Sequence, residues 1–112
     1  MIERVWSART TRDRTVAYAE YFRRVVRPEL AAVPGYRGAR LLQREMPDAA
    51  ATEVVVVTRW ESLAAVRGFA GDDLDRAVVH DEAAALFTDY DRTVRHFEIV
   101  LGENHENWDV VS

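Results

Sequence analysis

Cysteine and lysine are both missing from this chain of 112 residues. Without cysteine, disulfide bonds, thiolate nucleophiles and thiolate metal ligands are excluded. Without lysine, Schiff-base chemistry and lysine general bases are excluded too, because all 15 basic residues are arginine. The formal net charge of -4 and the lack of a basic stripe disfavour a nucleic-acid partner.

Long hydrophobic runs are also missing. No segment approaches the roughly 20 apolar residues of a membrane span, and the first residues lack the pattern of a secretion signal. We therefore expect a cytoplasmic protein without membrane contact. The chain is 48% hydrophobic and 30% charged, as is usual for a globular protein, and its length predicts one domain that would gain stability from a partner.

The stretch over 53–71 carries the strongest secondary-structure signal. Four consecutive valines over 54–57, followed by a polar pair and Trp60, predict a strand buried on both faces in the middle of a sheet. Ser62 is a suitable N-cap for a helix over 63–70, and Gly71 is a suitable end to it.

Weaker patterns on either side of this stretch predict the remaining elements. They are a strand over 2–9, a helix over about 13–33 that Pro28 bends or splits, a strand over 36–46 that pairs with the valine strand, short helices over 74–78 and 81–90, and a strand over 93–101. This order is the split βαβ pattern of a ferredoxin-like α+β fold, with a four-stranded antiparallel sheet and helices on one face. The domain then spans 1–102, and 103–112 forms a C-terminal tail.

The valine strand also predicts a second copy of the chain. Helices can cover only one side of the sheet, yet Val54 through Val57 are apolar on both sides. The uncovered face must be buried elsewhere, most simply against the same face of another subunit. We expect a homodimer, in which a tail containing Trp108 either crosses to the partner subunit or frays.

Several segments together resemble the antibiotic biosynthesis monooxygenase (ABM) domain family of dimeric α+β barrels. The matching text is VPGYRG over 33–38, WES over 60–62, AVRGFAG over 65–71, AVV over 77–79 and VRHFE over 94–98. The resemblance covers about residues 1–101. It implies a fold more firmly than a reaction, because one architecture hosts several chemistries.

Two branches of that family imply different sites. Enzymes similar to the actinorhodin anthrone monooxygenase oxidise aromatic polyketides with O₂ and without metal or flavin. Their Asn, Trp, Tyr and Arg positions correspond here to Val56, Trp60, Val66 and His80. The heme-degrading branch uses an Asn, a Trp and an axial His, and this chain has Phe69 at the Trp position and only His80 as a ligand candidate. Heme is therefore the weaker expectation.

The candidate catalytic residues are His96, His80 and Trp60. A histidine that opens into a pocket titrates in the working range of an enzyme. The alternatives are that His96 is a satisfied core histidine, that His80 stabilises a helix dipole and that Trp60 caps the core. The substrate-binding candidates are Tyr18, Phe22, Arg40 and Phe69, in a pocket between the first helix and the sheet. The alternative is that these residues serve core packing and structural ion pairs. No metal-ligand spacing occurs, and we expect no cofactor.

Two hypotheses from different classes follow. The resemblance favours an ABM-type cofactor-independent monooxygenase or tailoring enzyme that acts on an aromatic, polyketide-like small molecule, with O₂ as cosubstrate. A cyclase that uses the same base without O₂ is equally compatible. The alternative is a non-catalytic dimeric module that binds a small ligand, which the loss of three of the four motif residues favours.

Overall fold

A computed structural model describes residues 1–103 of the chain. Its elements, in chain order, are β1 (Ile2–Thr10), α1 (Arg12–Tyr21), a π-helical segment (Phe22–Val26), α2 (Arg27–Ala31), β2 (Tyr36–Met46), a 3₁₀ turn (Pro47–Ala49), β3 (Ala51–Trp60), α3 (Leu63–Ala70), α4 (Asp81–Ala84), β4 (Asp89–Tyr90) and β5 (Arg95–Glu98). Apart from Glu103, the predicted tail lies outside the described residues. None of the helices described is long and apolar enough to cross a bilayer.

The five strands form one antiparallel sheet. β3 lies between β2 and β1, as the valine run predicted, and the other edge of β1 pairs with both β4 and β5. β5 pairs along Ile2–Val5 and β4 pairs with Ala8 and Arg9. Two short strands thus share the fourth position of the predicted four-stranded sheet, and the ferredoxin-like α+β fold is confirmed.

Strand register decides which side chains meet the helices. Trp6 pairs with Val56 and Arg4 with Thr58, and because side chains alternate along a strand, the even-numbered residues of β1 and β3 share one face. That face carries the buried core with the helices, including fully buried Ala8 and Trp60. The odd-numbered residues point to the opposite side of the sheet.

The helix α3 has the bounds that its capping residues predicted. The Ser62 hydroxyl accepts a hydrogen bond from the Ala65 N–H at 3.2 Å, and Gly71 ends the helix with a positive φ of 79°. Val66, on the inner side of the helix, is fully buried. Local capping and one apolar stripe are therefore enough to define this element.

The first long helix changes its geometry just before Pro28. The Arg27 N–H donates to the carbonyl of Phe22, five residues earlier, within the π-helical segment. Proline has no N–H to continue the helical ladder and its ring crowds the preceding turn. A wider turn immediately before the proline absorbs that conflict, so the predicted bend takes the form of a π-helical insertion that buries Phe22.

The predicted helix over 74–78 is wrong. Arg76 instead forms a β-bridge with Thr93, and the Val94 N–H donates to the carbonyl of Asp75 at 2.8 Å. Backbone groups that would have closed a helical turn are therefore satisfied by a segment far along the chain, an outcome that local apolar spacing cannot indicate.

The last helix and strand are shorter than predicted. α4 ends at Ala84 rather than near Tyr90, because Tyr90 pairs with Ala8 as part of β4. The Asp91 N–H also donates to the Ser7 carbonyl at 3.0 Å. The final strand is confined to Arg95–Glu98, the length that pairs with β1.

Gly35 is placed where a side chain would collide with α3. Its φ is 90°, and an added Cβ would lie 2.5 Å from the Cβ of Ala65. We expect Gly35→Ala to lower the free energy of unfolding by about 1–3 kcal/mol for the backbone and by about 1–3 kcal/mol more for overpacking, measured by urea unfolding.

Gly71→Ala is the matched control for that substitution. It also has a positive φ, yet no atom of residues 1–103 beyond its chain neighbours lies within 4 Å of the added Cβ, so only the backbone term applies. Combining Gly35→Ala with Ala65→Gly should recover the steric part of the loss. Equal destabilisation by the two single variants, without recovery in the double variant, would contradict the contact.

Candidate functional site

A cavity lies between the helices and the inner face of the sheet. It is partly open to solvent, and the space between its walls, with that open part included, amounts to about 570 Å³. β1 and β3 contribute one wall, the π-helical segment and α1 a second, and the irregular chain before α4 a third. Its aromatic lining residues are Trp6, Tyr18, Tyr21, Phe22 and Phe69.

The aromatic wall is continuous with the core. The rings of Tyr18 and Phe87 are 4.7 Å apart, and the rings of Trp6 and Phe87 are 5.4 Å apart in an edge-to-face arrangement. The Trp6 Nε1–H donates to the Asp91 carbonyl at 2.7 Å, which fixes the indole. Burial raises the pKa of Tyr18, so its hydroxyl stays protonated. These rings offer flat apolar contact surface with few polar atoms.

Arg4 places a positive charge on the cavity wall. Its side chain is buried, at 5% exposure, although it lines the cavity. Its Nη1 donates to the Leu74 carbonyl at 2.6 Å and lies 2.9 Å from the His96 Nε2, and its Nη2 donates to the Arg76 carbonyl at 2.8 Å. The guanidinium also lies 5.8 Å from the centre of the Phe69 ring.

His96 is held in one tautomer by its two neighbours. A guanidinium can only donate, so the His96 Nε2 beside Arg4 must be the unprotonated acceptor and Nδ1 carries the hydrogen. That nitrogen lies 3.5 Å from the carboxylate of Asp75. Burial lowers the pKa of His96, the Arg4 charge lowers it further and Asp75 opposes both. His96 is therefore neutral at pH 7.

Arg4 stays charged in spite of its environment. Burial lowers its pKa to about 10, with Asp75 acting in the opposite direction. The residue is therefore still a cation at neutral pH.

His80 lines the cavity from the end of the segment that precedes α4. It precedes α4 as its N-cap residue, and the predicted helix before it does not form, so it cannot stabilise a helix C-terminus. Its Nε2 lies 3.1 Å from the Glu29 carboxylate. Arg24 and Glu82 form a second ion pair between the same segments, also at 3.1 Å. The side chains of both pairs are about half exposed or more.

The cavity brings together some of the predicted site residues and not others. Tyr18, Phe22, Phe69 and His80 line it. Trp60 is fully buried one layer behind the wall, where its Nε1–H donates to the Thr58 hydroxyl at 2.8 Å and its ring stacks on Phe69 at 5.8 Å. His96 contacts the cavity through Arg4 rather than directly.

Arg40 lies on the other side of the sheet. It pairs with Val57 of β3, an outward-facing position. A bulge between Tyr36 and Gly38 reverses the side-chain alternation of β2, so Tyr36 and Arg40 do not share the face that an uninterrupted strand predicts. Arg40 therefore does not contact the cavity.

Sequence reasoning missed Arg4 and Thr58. The sequence did contain a signal for Arg4, because this residue shares the apolar face of the first strand with Ile2 and Trp6. A cation in such a position requires polar partners or a ligand.

Comparison with known proteins gives one relationship at the level of a family. Residues 1–81 match the sequence model of a family described as antibiotic biosynthesis monooxygenase. The match covers well over half of the chain, from β1 to the first residue of α4, and it includes Arg4 and His80. No curated protein matches.

The buried neutral state of His96 makes stability depend on pH. Its pKa is lower in the folded chain than the usual 6.5, so the unfolded chain binds more protons as the pH falls below about 6.5. We therefore expect the melting temperature to fall between about pH 7.5 and pH 5.5, and to fall less in His96→Gln, whose amide oxygen still accepts from Arg4.

The control for this measurement is Val16→Gln, which adds an amide at a helix residue that is 73% exposed and should retain the wild-type dependence on pH. Carboxylates titrate mostly below this window. An unchanged pH dependence in His96→Gln would contradict the assignment of His96 as the group responsible.

Proposed function

Because the chain belongs to the antibiotic biosynthesis monooxygenase family, we propose that it is an oxygenase acting on an aromatic, polyketide-like small molecule. The observation that carries the proposal is the cavity, which combines aromatic walls with a few convergent polar groups. A flat polycyclic ligand buries its faces against such walls while its oxygen atoms contact the polar groups.

The proposed reaction uses the chemistry of the substrate itself. Removal of a proton from a phenol or enol leaves an electron-rich anion that reduces O₂. In the net conversion of a ring methylene to a carbonyl, one oxygen atom enters the product and the other leaves as water with the two methylene hydrogens. The substrate supplies all the electrons, so no external reductant is needed.

His80 is the proposed base. It lines the cavity, and its contact with Glu29 at 3.1 Å supports a fixed orientation in which Nε2 donates and Nδ1 remains an acceptor. His96 supports the site through Arg4, and Trp60 supports it through Thr58 and Phe69. We therefore assign His96 and Trp60 positioning roles.

A non-catalytic binding role is the second candidate. It is favoured by Val56, which lines the cavity at a position where the polyketide oxygenases of the resemblance carry an asparagine. An apolar wall at that position suits binding of an aromatic molecule and offers no hydrogen bond to a reacting group. The two candidates differ in whether O₂ is consumed once the ligand is bound.

We also propose that the chain acts as a homodimer. The sheet face away from the helices carries Val57, Leu42 and Phe97, and the last two are 43% and 46% exposed. A face of this kind is costly to leave in water, and pairing with the same face of a second subunit would bury it symmetrically. The dimeric barrels of the family support the same arrangement.

The catalytic proposal is tested by O₂ uptake with anthrones and related phenols. We expect uptake with a quinone product by the wild type, and a loss of about 100-fold or more in kcat for His80→Gln, because general-base catalysis contributes at least that much. Substrate affinity, measured without O₂, should change little.

Arg24→Gln is the matched control, since it breaks the neighbouring ion pair with Glu82 and leaves His80 in place; its kcat should stay within about twofold of the wild type. Tight binding of the whole panel without O₂ uptake would replace the oxygenase by the binding module.

The dimer proposal is tested by light scattering after size-exclusion chromatography. Leu42→Glu places a charge on the outer sheet face and should shift the protein toward the monomer. Val16→Glu, at a helix residue that is 73% exposed, adds the same charge away from the sheet and should leave the mass unchanged. A wild type that is monomeric at micromolar concentration would contradict the proposal.

A further inference from the structure

Arg4 is a buried charge whose direct partners are all neutral. Its three contacts are the carbonyl oxygens of Leu74 and Arg76 and the unprotonated nitrogen of His96. Over residues 1–103, no carboxylate lies within ion-pair distance of it; Asp75 is one contact further away, beyond His96. Burial of a charge without an opposite charge is costly, so this arrangement favours an anion brought in by a ligand.

The guanidinium retains donors that its contacts with described residues do not use. It has five N–H donors, and its contacts with described residues use three of them. Its side chain forms part of the cavity wall while being only 5% exposed. A ligand in the cavity can therefore meet a cation that is largely removed from water, where a charge-assisted hydrogen bond is strong.

The direction of the guanidinium is fixed before a ligand arrives. The two carbonyls come from the irregular segment before α4, and the imidazole comes from β5, so three contacts from two segments hold one plane. The Phe69 ring lies 5.8 Å from the guanidinium carbon. Such preorganisation reduces the entropy that binding would otherwise cost.

We propose that Arg4 is the anion-binding residue of the cavity and that the aromatic ligand carries an ionised oxygen, as a phenolate, an enolate or a carboxylate. This inference rests on the proposed function, because it names the substrate class of the same site. For a phenol or enol, the O–H bond breaks, the proton passes to His80 or to water, and the oxyanion stays against Arg4. The bound substrate would then be ionised before O₂ reacts.

Two aromatic probes of matched shape separate charge from shape. The probes are 1-naphthoate and 1-naphthamide, titrated into the intact protein and followed by tryptophan fluorescence or calorimetry. We expect the wild type to bind the carboxylate at least about tenfold more tightly, the factor that one charge-assisted hydrogen bond provides. In Arg4→Gln this ratio should fall to about one, and Arg4→Lys, which keeps the charge but not the fork, should be intermediate.

The control for net charge is Arg67→Gln, which removes an exposed arginine from α3 and should keep the wild-type ratio. A third probe, 2-naphthol, reports ionisation by its absorbance. The apparent pKa of the bound naphthol should be at least about one unit below that of free naphthol in the wild type, and this shift should be absent from Arg4→Gln.

The outcomes separate this inference from the proposed function. Equal affinity for naphthoate and naphthamide, together with an unshifted naphthol, would overturn the role of Arg4 and leave the aromatic cavity in place. Failure of all three probes to bind would overturn both. Preference for naphthoate alone would identify a carboxylate ligand, and a shifted naphthol alone would identify a phenolate or enolate. If Arg4→Gln does not fold, the two wild-type measurements decide.

Discussion

The buried guanidinium of Arg4 is the interaction on which the rest of this site depends. It stands on the central part of the sheet, yet its partners are backbone carbonyls of the segment before α4 and a histidine of β5. One side chain of β1 thereby contacts two parts of the chain that lie 70 to 92 residues away from it in sequence. Those carbonyls therefore have a hydrogen-bond partner other than a helical N–H.

The two faces of the central strand β3 contact different surroundings. On the inner face, Val56 and Thr58 form the cavity wall, and Trp60 supports it from behind. On the outer face, Val57 is buried within the chain, while neighbouring apolar side chains on β2 and β5 remain exposed. The same apolar strand therefore provides both a ligand site and the surface on which we propose that a second subunit packs.

The two sides of the cavity differ in how firmly they are held. The wall around Arg4 is buried and hydrogen-bonded, and the aromatic wall is packed into the core. The part of the cavity that contains His80 is held by the ion pairs of His80 with Glu29 and of Arg24 with Glu82, whose side chains are about half exposed or more. Exposed pairs of this kind contribute little stability, so this part of the cavity is held less firmly than the other.

The sequence by itself determined the elements whose signals are local. The valine run, the Ser62 cap and Gly71 gave the bounds of α3 and the central place of β3, and the order of elements gave the ferredoxin-like fold. Four of the seven predicted site residues line one cavity, and they are Tyr18, Phe22, Phe69 and His80. Helix caps and side-chain alternation act over a few residues, which is why a linear pattern records them.

Only the tertiary structure decided the parts that depend on distant partners. The pairing of Arg76 with Thr93 replaced a predicted helix, and the contact of His96 with Arg4 turned a candidate base into the neighbour of a cation. One bulge after Tyr36 moved Arg40 to the other face of the sheet. A single extra residue reverses the side-chain alternation of a strand, and the bulge at this point shows in the pairing of β2 with β3.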